Sequence, residues 1–321
     1  MKVIIQIPCF NEEATLPATI RDLPRTIPGV DVLEYLVVDD GSSDRTAEVA
    51  REVGVQHVLR LGSNRGLARA FANGIEKALE LGADIVVNTD ADNQYCAADI
   101  PKLLAPILAN QADMVVGSRP IVEHPEFGPV KKLLQLAGSW TLRHISKTTV
   151  RDAASGFRAF SREACQRLFI YSSFSYCMET LIQAGNRGLR VASVDIGVNP
   201  TTRPSRLFKS IPEYIRKQAG TMLTMFVLYR PGRFFSSLGV LLMAGVFVIG
   251  VRFLYLVYVV PVPGRTHLPS LILLSVLALG GFLCFLLAVL GELVKSQRRI
   301  GEENLYLLRR NRVGAGNGDG L

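Results

Sequence analysis

Tryptophan occurs once in 321 residues, at Trp140, and no two of the five cysteines form a CxxC pair. Cys9, Cys96, Cys165, Cys177 and Cys284 are scattered and odd in number, which argues against a disulfide framework and fits a reducing compartment. Zinc-finger spacing is missing, as is any basic stripe interleaved with aromatics, so nucleic acid is not an expected partner. Charged residues are sparse, 20% against 49% apolar, which excludes a disordered or collagen-like chain. There is no internal repeat. The opening, MKVIIQIPCFNEE, has too short an apolar stretch for a signal peptide and runs straight into acids, so the first domain is expected to stay unexported.

What is present is unevenly spread. Mean hydropathy is +0.26, and the excess falls almost wholly after residue 233. Phe234–Val260 carries one charge, Arg252, and Leu268–Gly291 carries none. A bilayer core takes ~20 helical residues, so both runs can span it. Arg252 lies roughly 27 Å along a helix from Phe234. It reads either as a residue at the far interface that snorkels, with Tyr255 and Tyr258 as belt residues, or as an intramembrane functional charge. Net charge is +8, and the basic residues flank these runs: seven Lys/Arg against one acid over 203–233, and six against four over 292–321. The connector PVPGRTH has a single Arg. The positive-inside rule therefore predicts an integral protein of the cell (inner) membrane, with both termini and the first domain cytoplasmic. Residues 203–233, mixing Lys209, Arg216 and Lys217 with Leu207, Phe208, Ile211, Tyr214 and Ile215, read as an amphipathic segment lying on the membrane surface. The tail GAGNGDGL is expected to be disordered.

The first 200 residues alternate short β-branched runs with helical patterns. Val3–Ile7, Glu34–Asp39, Asp84–Thr89 and Asp113–Gly117 read as strands. Helices are predicted over Glu12–Leu23, Asp44–Val53 (N-capped by Ser43 or Asp44), Leu67–Leu81 and Ala98–Ala109. The pattern predicts an α/β fold with a mostly parallel sheet covered on both faces. Ligands of such sheets sit at the carboxyl ends of the strands, where CFNEE, DDGSSD and DADNQ each begin.

The central chemical signal is Asp90-Ala91-Asp92 after the strand IVVNT. On extended chain, alternate residues point the same way, so Asp90, Asp92 and Gln94 would offer oxygens to one hard cation, Mg²⁺ or Mn²⁺, bridged to substrate phosphates. The acidic turn from Asp39 to Asp44 reads either as a tight βα turn or as carboxylates for a nucleobase or ribose. Glu12 reads either as a ribose ligand or as a first-turn acid. Cys9 reads as a small buried filler.

Six motifs occur in order: PCFNEE, DDGSSD, NRGLARAFANG, DADNQ, VVGSR and SGFRAFSRE. Over roughly residues 3–210 the chain resembles glycosyltransferase family 2, in its dolichol-phosphate mannose synthase-like branch. With two terminal spans it is similar to the bacterial polyisoprenyl-phosphate glycosyltransferases. The resemblance implies a Rossmann-like GT-A domain (1–202), the amphipathic segment (203–233), two transmembrane helices (234–291) and a basic cytoplasmic tail (292–321). It implies a UDP- or GDP-linked sugar donor and a polyisoprenyl phosphate acceptor, with a homo-oligomer left open. Matched position by position, it puts Pro8, Asn11, Glu12 and Asp39 at the nucleoside, with Asp40 adjacent. It puts Asp90, Asp92 and Gln94 at the metal and diphosphate, and Arg119 at the acceptor phosphate. Asp152, Ser155 and Arg158 fall on the acceptor side. Arg203, Ser205 and Arg206 fall in a basic loop over the phosphates. Asp92, Asp152 and Arg119 are the expected catalytic set, with Asp152 either positioning the acceptor or removing a proton. The loop reads RPSRLFK where many relatives carry RxxGxSK, and the QxxRW motif of processive polysaccharide synthases is missing. The expected reaction is inverting transfer of one sugar to the lipid phosphate. The rivals are transfer to a glycolipid or polysaccharide, and an inactive membrane scaffold.

Overall fold

The computed structural model describes residues 1–120, 148, 150–170, 176–200, 211–260 and 267–316. These fall into two compact units, Met1–Thr221 with Glu303–Leu321, and Met222–Glu302.

The first unit is built on a seven-stranded sheet. Its strands are β1 (Lys2–Cys9), β2 (Val32–Asp39), β3 (His57–Arg60), β4 (Ile85–Asn88), β5 (Met114–Ser118), β6 (Arg158–Ser161) and β7 (Val191–Asp195), in the order β3-β2-β1-β4-β6-β5-β7. All pairings are parallel except those of β6, which runs antiparallel between β4 and β5. β1 and β2 are in register from Lys2↔Val32 to Cys9↔Asp39, so both deliver their last residues to one edge. From β1 the chain winds outward through β2 and β3, then returns to place β4 on β1's other side. The crossovers thus diverge between β1 and β4, which opens a crevice at their carboxyl ends.

Helices cover both faces, as the continuous apolar runs require. On one face α1 (Leu16–Asp22) and α4 (Ile100–Leu108) set Leu16, Ile20, Ile100, Leu103 and Leu104 against Val3, Ile5 and Ile7. The other face takes α3 (Leu67–Glu80). It comes so close that a Cβ on Gly74 would stand 2.9 Å from the Val38 side chain. α2 (Thr46–Glu52) begins later than the Asp44 start expected from sequence. Asp44 Oδ1 accepts the Thr46 N–H at 3.0 Å, while the Thr46 hydroxyl oxygen is held by the Glu12 N–H, so the chain turns before it coils. Two further helices follow β6: α5 (Arg162–Arg167) and α6 (Tyr176–Asn186).

α7 (Ile211–Tyr229) occupies the stretch expected to be amphipathic; residues 203–210 lie outside the described residues. In the second unit, α8 (Pro231–Tyr258) packs on α9 (Leu268–Gly316) through small residues. A Cβ on Gly239 would come 3.1 Å from the Phe285 ring, and one on Gly281 2.9 Å from the Met243 sulfur. Both helices are long and apolar enough to cross a membrane, and their most apolar windows are 0% and 11% buried. A core helix of a soluble protein would be mostly buried; these turn many large apolar side chains outward.

α9 continues well past the apolar run that ends at Gly291. Its last turns belong to the first unit, not to a tail standing apart from it. There Arg309 Nη1 donates to the Cys165, Gln166 and Leu168 carbonyls at 3.4, 3.3 and 2.8 Å. Its Nη2 pairs with Glu76, and the guanidinium lies 4.2 Å from the Phe169 ring.

Candidate active site

Three loops meet at the crevice. The one after β1 is turned by Asn11, at φ +55. Asn11 N–H donates to Ser42 Oγ (2.9 Å) and its Oδ1 accepts the Ser43 N–H (2.9 Å), which stitches the loop to the one after β2. Glu12 is buried, and its carboxylate accepts the Thr15 hydroxyl at 2.6 Å. Pro8 is buried within β1.

In the acidic turn, Asp39 Oδ1 accepts the Ser42 N–H at 2.9 Å. Its Oδ2 is buried without a hydrogen-bond partner among the described residues, 3.4 Å from Arg60 Nε. Asp40, also buried, is bonded differently. Both its oxygens accept backbone N–H groups, from Arg65 (2.9 Å) and Gly66 (2.8 Å), and so fix the entry to α3. These two bonds are a structural part for Asp40, beside the donor place expected for it. Gly41 has φ +71, and a Cβ there would lie 2.6 Å from the Ser63 carbonyl carbon. Only glycine fits this position.

The DADNQ segment is not the extended chain that the alternation argument assumed. It turns at Ala91–Asp92, and Asn93 adopts φ +57. Asp90 and Asp92 are brought together across this turn. Thr19 Oγ1 donates to the Ala91 carbonyl (2.9 Å), Asn93 Nδ2 to Asp22 (2.7 Å), and Asn199 Nδ2 to the Asn93 carbonyl (2.9 Å), so α1 and the chain after β7 pin it from two sides. Gln94 meets the pair through its backbone, donating its N–H to Asp92 Oδ1 at 3.2 Å.

Burial pushes the Asp90 carboxyl up to about 7; the Asp92 charge and, more weakly, Glu12 act in the same direction, against Arg119 and a hydrogen bond from Tyr95. Crowded anionic oxygen of this kind is relieved by a proton or a cation. Among the described residues no group of three or more His, Cys, Asp or Glu could hold a metal ion unaided.

Opposite stands Arg119, just past β5. Its Nε and Nη2 donate to Asp152 Oδ2 and Oδ1 at 2.6 and 3.2 Å. Asp152 Oδ1 also accepts the Ala154 N–H, and the Asp152 side chain is fully buried. Arg158 and Ser155 depart from the acceptor-side place expected for them. Arg158 is wholly buried. It donates to the Ser155, Cys177 and Ala153 carbonyls and to Thr180 Oγ1, all at 2.7–2.8 Å. A guanidinium so engaged, shut away from solvent, lashes the 153–155 loop to α6 and has no face to offer a phosphate. Ser155 is buried too, and its Oγ accepts the Phe157 N–H at 3.3 Å. Arg203, Ser205 and Arg206 lie outside the described residues.

Sequence reasoning missed the residues that hold this site: Thr19, Asp22, Asn199, and the buried Gln6, Asn88, Tyr95 and Tyr176. Gln6 and Asn88 did carry a signal, as the single polar breaks in IIQIP and IVVN. The tyrosines carried none.

A GT-A-like sheet with an acidic pair at its topological switch belongs to the nucleotide-sugar transferases. The description Glycosyl transferase family 2 matches residues 4–169, and the chain belongs to that family. It is an enzyme of the glycosyltransferase class. It is 30% identical over 217 residues to a UDP-N-acetylglucosamine–dolichyl-phosphate N-acetylglucosaminyltransferase of Methanococcus voltae, covering 60% of this chain and 84% of that one. It is 29% identical over 206 residues to an undecaprenyl-phosphate mannosyltransferase of Micrococcus luteus, covering 61% and 83%. Its fold is similar to that of glucosyl-3-phosphoglycerate synthase from Mycobacterium tuberculosis, crystallised with Mn²⁺, UDP and glucosyl-3-phosphoglycerate. That match has a TM-score of 0.55 at 23% identity, and covers 70% of this chain and 78% of that one.

Proposed function

We propose that this protein transfers one sugar from a nucleotide-sugar to polyisoprenyl phosphate at the cytoplasmic face of a membrane, with inversion and with a divalent cation, Mg²⁺ or Mn²⁺. The observation that carries the reading is the Asp90–Asp92 pair facing the Arg119–Asp152 ion pair, in a family 2 chain that ends in two exposed apolar helices. Relatives named for dolichyl- and undecaprenyl-phosphate support the acceptor class, and a similar fold crystallised with Mn²⁺ and UDP supports the cation and the donor class.

The acidic pair suits a hard cation that keeps several ligands from water and diphosphate. When bound, such an ion supplies Lewis-acid stabilisation of the departing nucleoside diphosphate. Asp39, with an unsatisfied buried oxygen, is the group we assign to the nucleoside, together with Pro8, Asn11 and Glu12 on the same rim. Arg119 suits the acceptor phosphate, since the planar guanidinium fork matches phosphate oxygens and Asp152 fixes its orientation. A phosphate monoester is ionised near neutral pH and needs little help from a base. Asp152 is accordingly a positioning group: both its oxygens already accept hydrogen bonds from Arg119. Arg203 and Arg206 stay assigned to a basic loop over the phosphates on the strength of the resemblance. A long isoprenyl chain cannot leave the bilayer cheaply, at ~0.8 kcal/mol per CH₂, so the site must come to the lipid.

The test uses the full chain in detergent or nanodiscs with radiolabelled UDP- and GDP-sugars, polyprenyl phosphate and Mn²⁺ or Mg²⁺. Label is expected in the organic extract, dependent on the cation. Transfer that survives full chelation, or label confined to water-soluble glycan, overturns the proposal.

A further inference from the structure

Beneath Asp90 lies a polar circuit to which the proposed reaction gives no part. Asn88, the last residue of β4, is fully buried. Its Nδ2 donates to the Gly156 carbonyl and to Tyr176 Oη, both at 2.9 Å, while its Oδ1 accepts from Gln6 Nε2 at 2.9 Å. The Tyr176 hydroxyl donates onward to the Gly156 carbonyl at 3.4 Å. On the other side of the same residue, in the preceding peptide unit, Gly156 N–H donates to Tyr95 Oη at 2.9 Å. A tyrosine hydroxyl has one hydrogen. Having accepted from Gly156, Tyr95 Oη keeps that hydrogen for a further acceptor, and the Asp90 carboxylate, whose oxygens lie against residue 156, is the charged group it favours. Residue 156 itself touches the carboxylate: a Cβ there would lie 3.2 and 3.3 Å from the two Asp90 oxygens and 2.7 Å from Tyr176 Oη.

Packing alone does not call for these hydroxyls. Tyr95 stacks on Phe157 with centroids 5.0 Å apart and rings 8° from parallel. Tyr176 stacks on Phe71 at 4.0 Å and 7°. Phenylalanine would serve either stack. Buried polar groups are costly unless partnered, and here Gln6 Oε1 alone of the circuit is left without a partner among the described residues, so a buried circuit beside one carboxylate reads as orientation of that carboxylate.

We infer that Tyr95, with Asn88 and Tyr176 holding the backbone of Gly156 against it, is a positioning residue that aims the Asp90 carboxylate so that it shares a divalent cation with Asp92. The inference rests on the reading of Asp90 and Asp92 as the cation pair. Tyr95 and Tyr176 differ usefully: the Tyr95 hydroxyl favours the ionised Asp90, while that of Tyr176 meets Asn88 and the Gly156 carbonyl.

The experiment measures Mn²⁺ affinity in the presence of UDP, by electron paramagnetic resonance on the full chain in detergent, for wild type, Asp92→Ala, Tyr95→Phe and Tyr176→Phe. Thermal unfolding is recorded alongside. Outer-shell changes typically cost about 10- to 100-fold in metal affinity. A loss of that size is expected for Tyr95→Phe and a smaller one in the same direction for Tyr176→Phe, with kcat in both restored by excess Mn²⁺. If Tyr95→Phe does not fold, Tyr176→Phe carries the test. Unchanged Mn²⁺ affinity in the folded variants, whether or not they melt earlier, overturns the inference while leaving the cation pair standing. If wild type binds Mn²⁺ no better than Asp92→Ala, the cation pair itself fails, and this inference with it.

Discussion

A carboxyl that keeps its proton to about pH 7 is a poor cation ligand below that pH and a good one above it. Asp90 is such a group, since burial and the neighbouring Asp92 charge oppose its ionisation. Mn²⁺ affinity in the presence of UDP is therefore expected to climb as pH rises from 6 to 8, then level off; calorimetry across that range checks it, and a flat profile contradicts it. The stability of the metal-free protein should move the other way. A carboxyl whose folded value is raised stabilises most below its unfolded value, and that contribution is lost as pH rises through about 7. Asp90→Asn should thus raise the melting temperature of the metal-free protein at pH 8 and do little at pH 4. Asp92→Ala should lower transfer by on the order of 10³-fold while leaving the fold intact, because several kcal/mol of charge stabilisation depend on the ion. Arg119→Lys keeps the charge but loses the fork that grips Asp152, and should cost about 10- to 100-fold in kcat/KM for the acceptor. Equal losses toward donor and acceptor would refute its assignment.

At the scale of elements, what was legible in the sequence was what the hydrophobic pattern repeats. β1, β2, β4 and β5 are runs of buried Val, Ile and Leu, and α3 starts at the Leu67 that its pattern names. β6 was not legible: it is four residues long and opens on Arg158, whose charge hides a fully buried position. β3 was equally silent, because His57–Arg60 lies at the sheet edge and is half-buried. The acidic pair could be read as a site, but its geometry could not, since a turn through Asn93 depends on Asp22 and Asn199, the latter 106 residues away. The end of α9 was hidden for the same reason: a basic helix looks solvated until its partner is seen. Arg309 meets carbonyls at the end of α5, where a helix leaves acceptors unpaired. Arg309→Ala should therefore destabilise the catalytic unit by about 1.5–3 kcal/mol. Urea titration in detergent, followed by a probe in the 1–200 region, measures it, and an unchanged midpoint would mean that the docking contributes nothing.

Arg309 and Leu168 are bonded although 141 residues apart, and the chain between them runs through both apolar helices. A chain that leaves one side of a bilayer and returns to the same unit crosses an even number of times. With two exposed apolar helices, two crossings satisfy both the contact and the hydropathy, whereas a single crossing would tear Arg309 from its carbonyls. Charge then sets the direction. Seven basic residues precede the pair and six follow it, against one Arg in the connector, so the cytoplasmic side should hold the flanks and with them the catalytic unit. The chemistry asks for the same side if the donor is a soluble cytoplasmic nucleotide-sugar, since that molecule cannot cross the hydrocarbon. A cysteine introduced as Gly264→Cys in the connector should accordingly be labelled by a membrane-impermeant maleimide in intact cells. One introduced as Glu303→Cys in the exposed face past the second span should be labelled only after the cells are opened. The reverse pattern would put the carboxylate pair on the side without donor. Labelling of both sites in intact cells would mean that the helices do not cross at all.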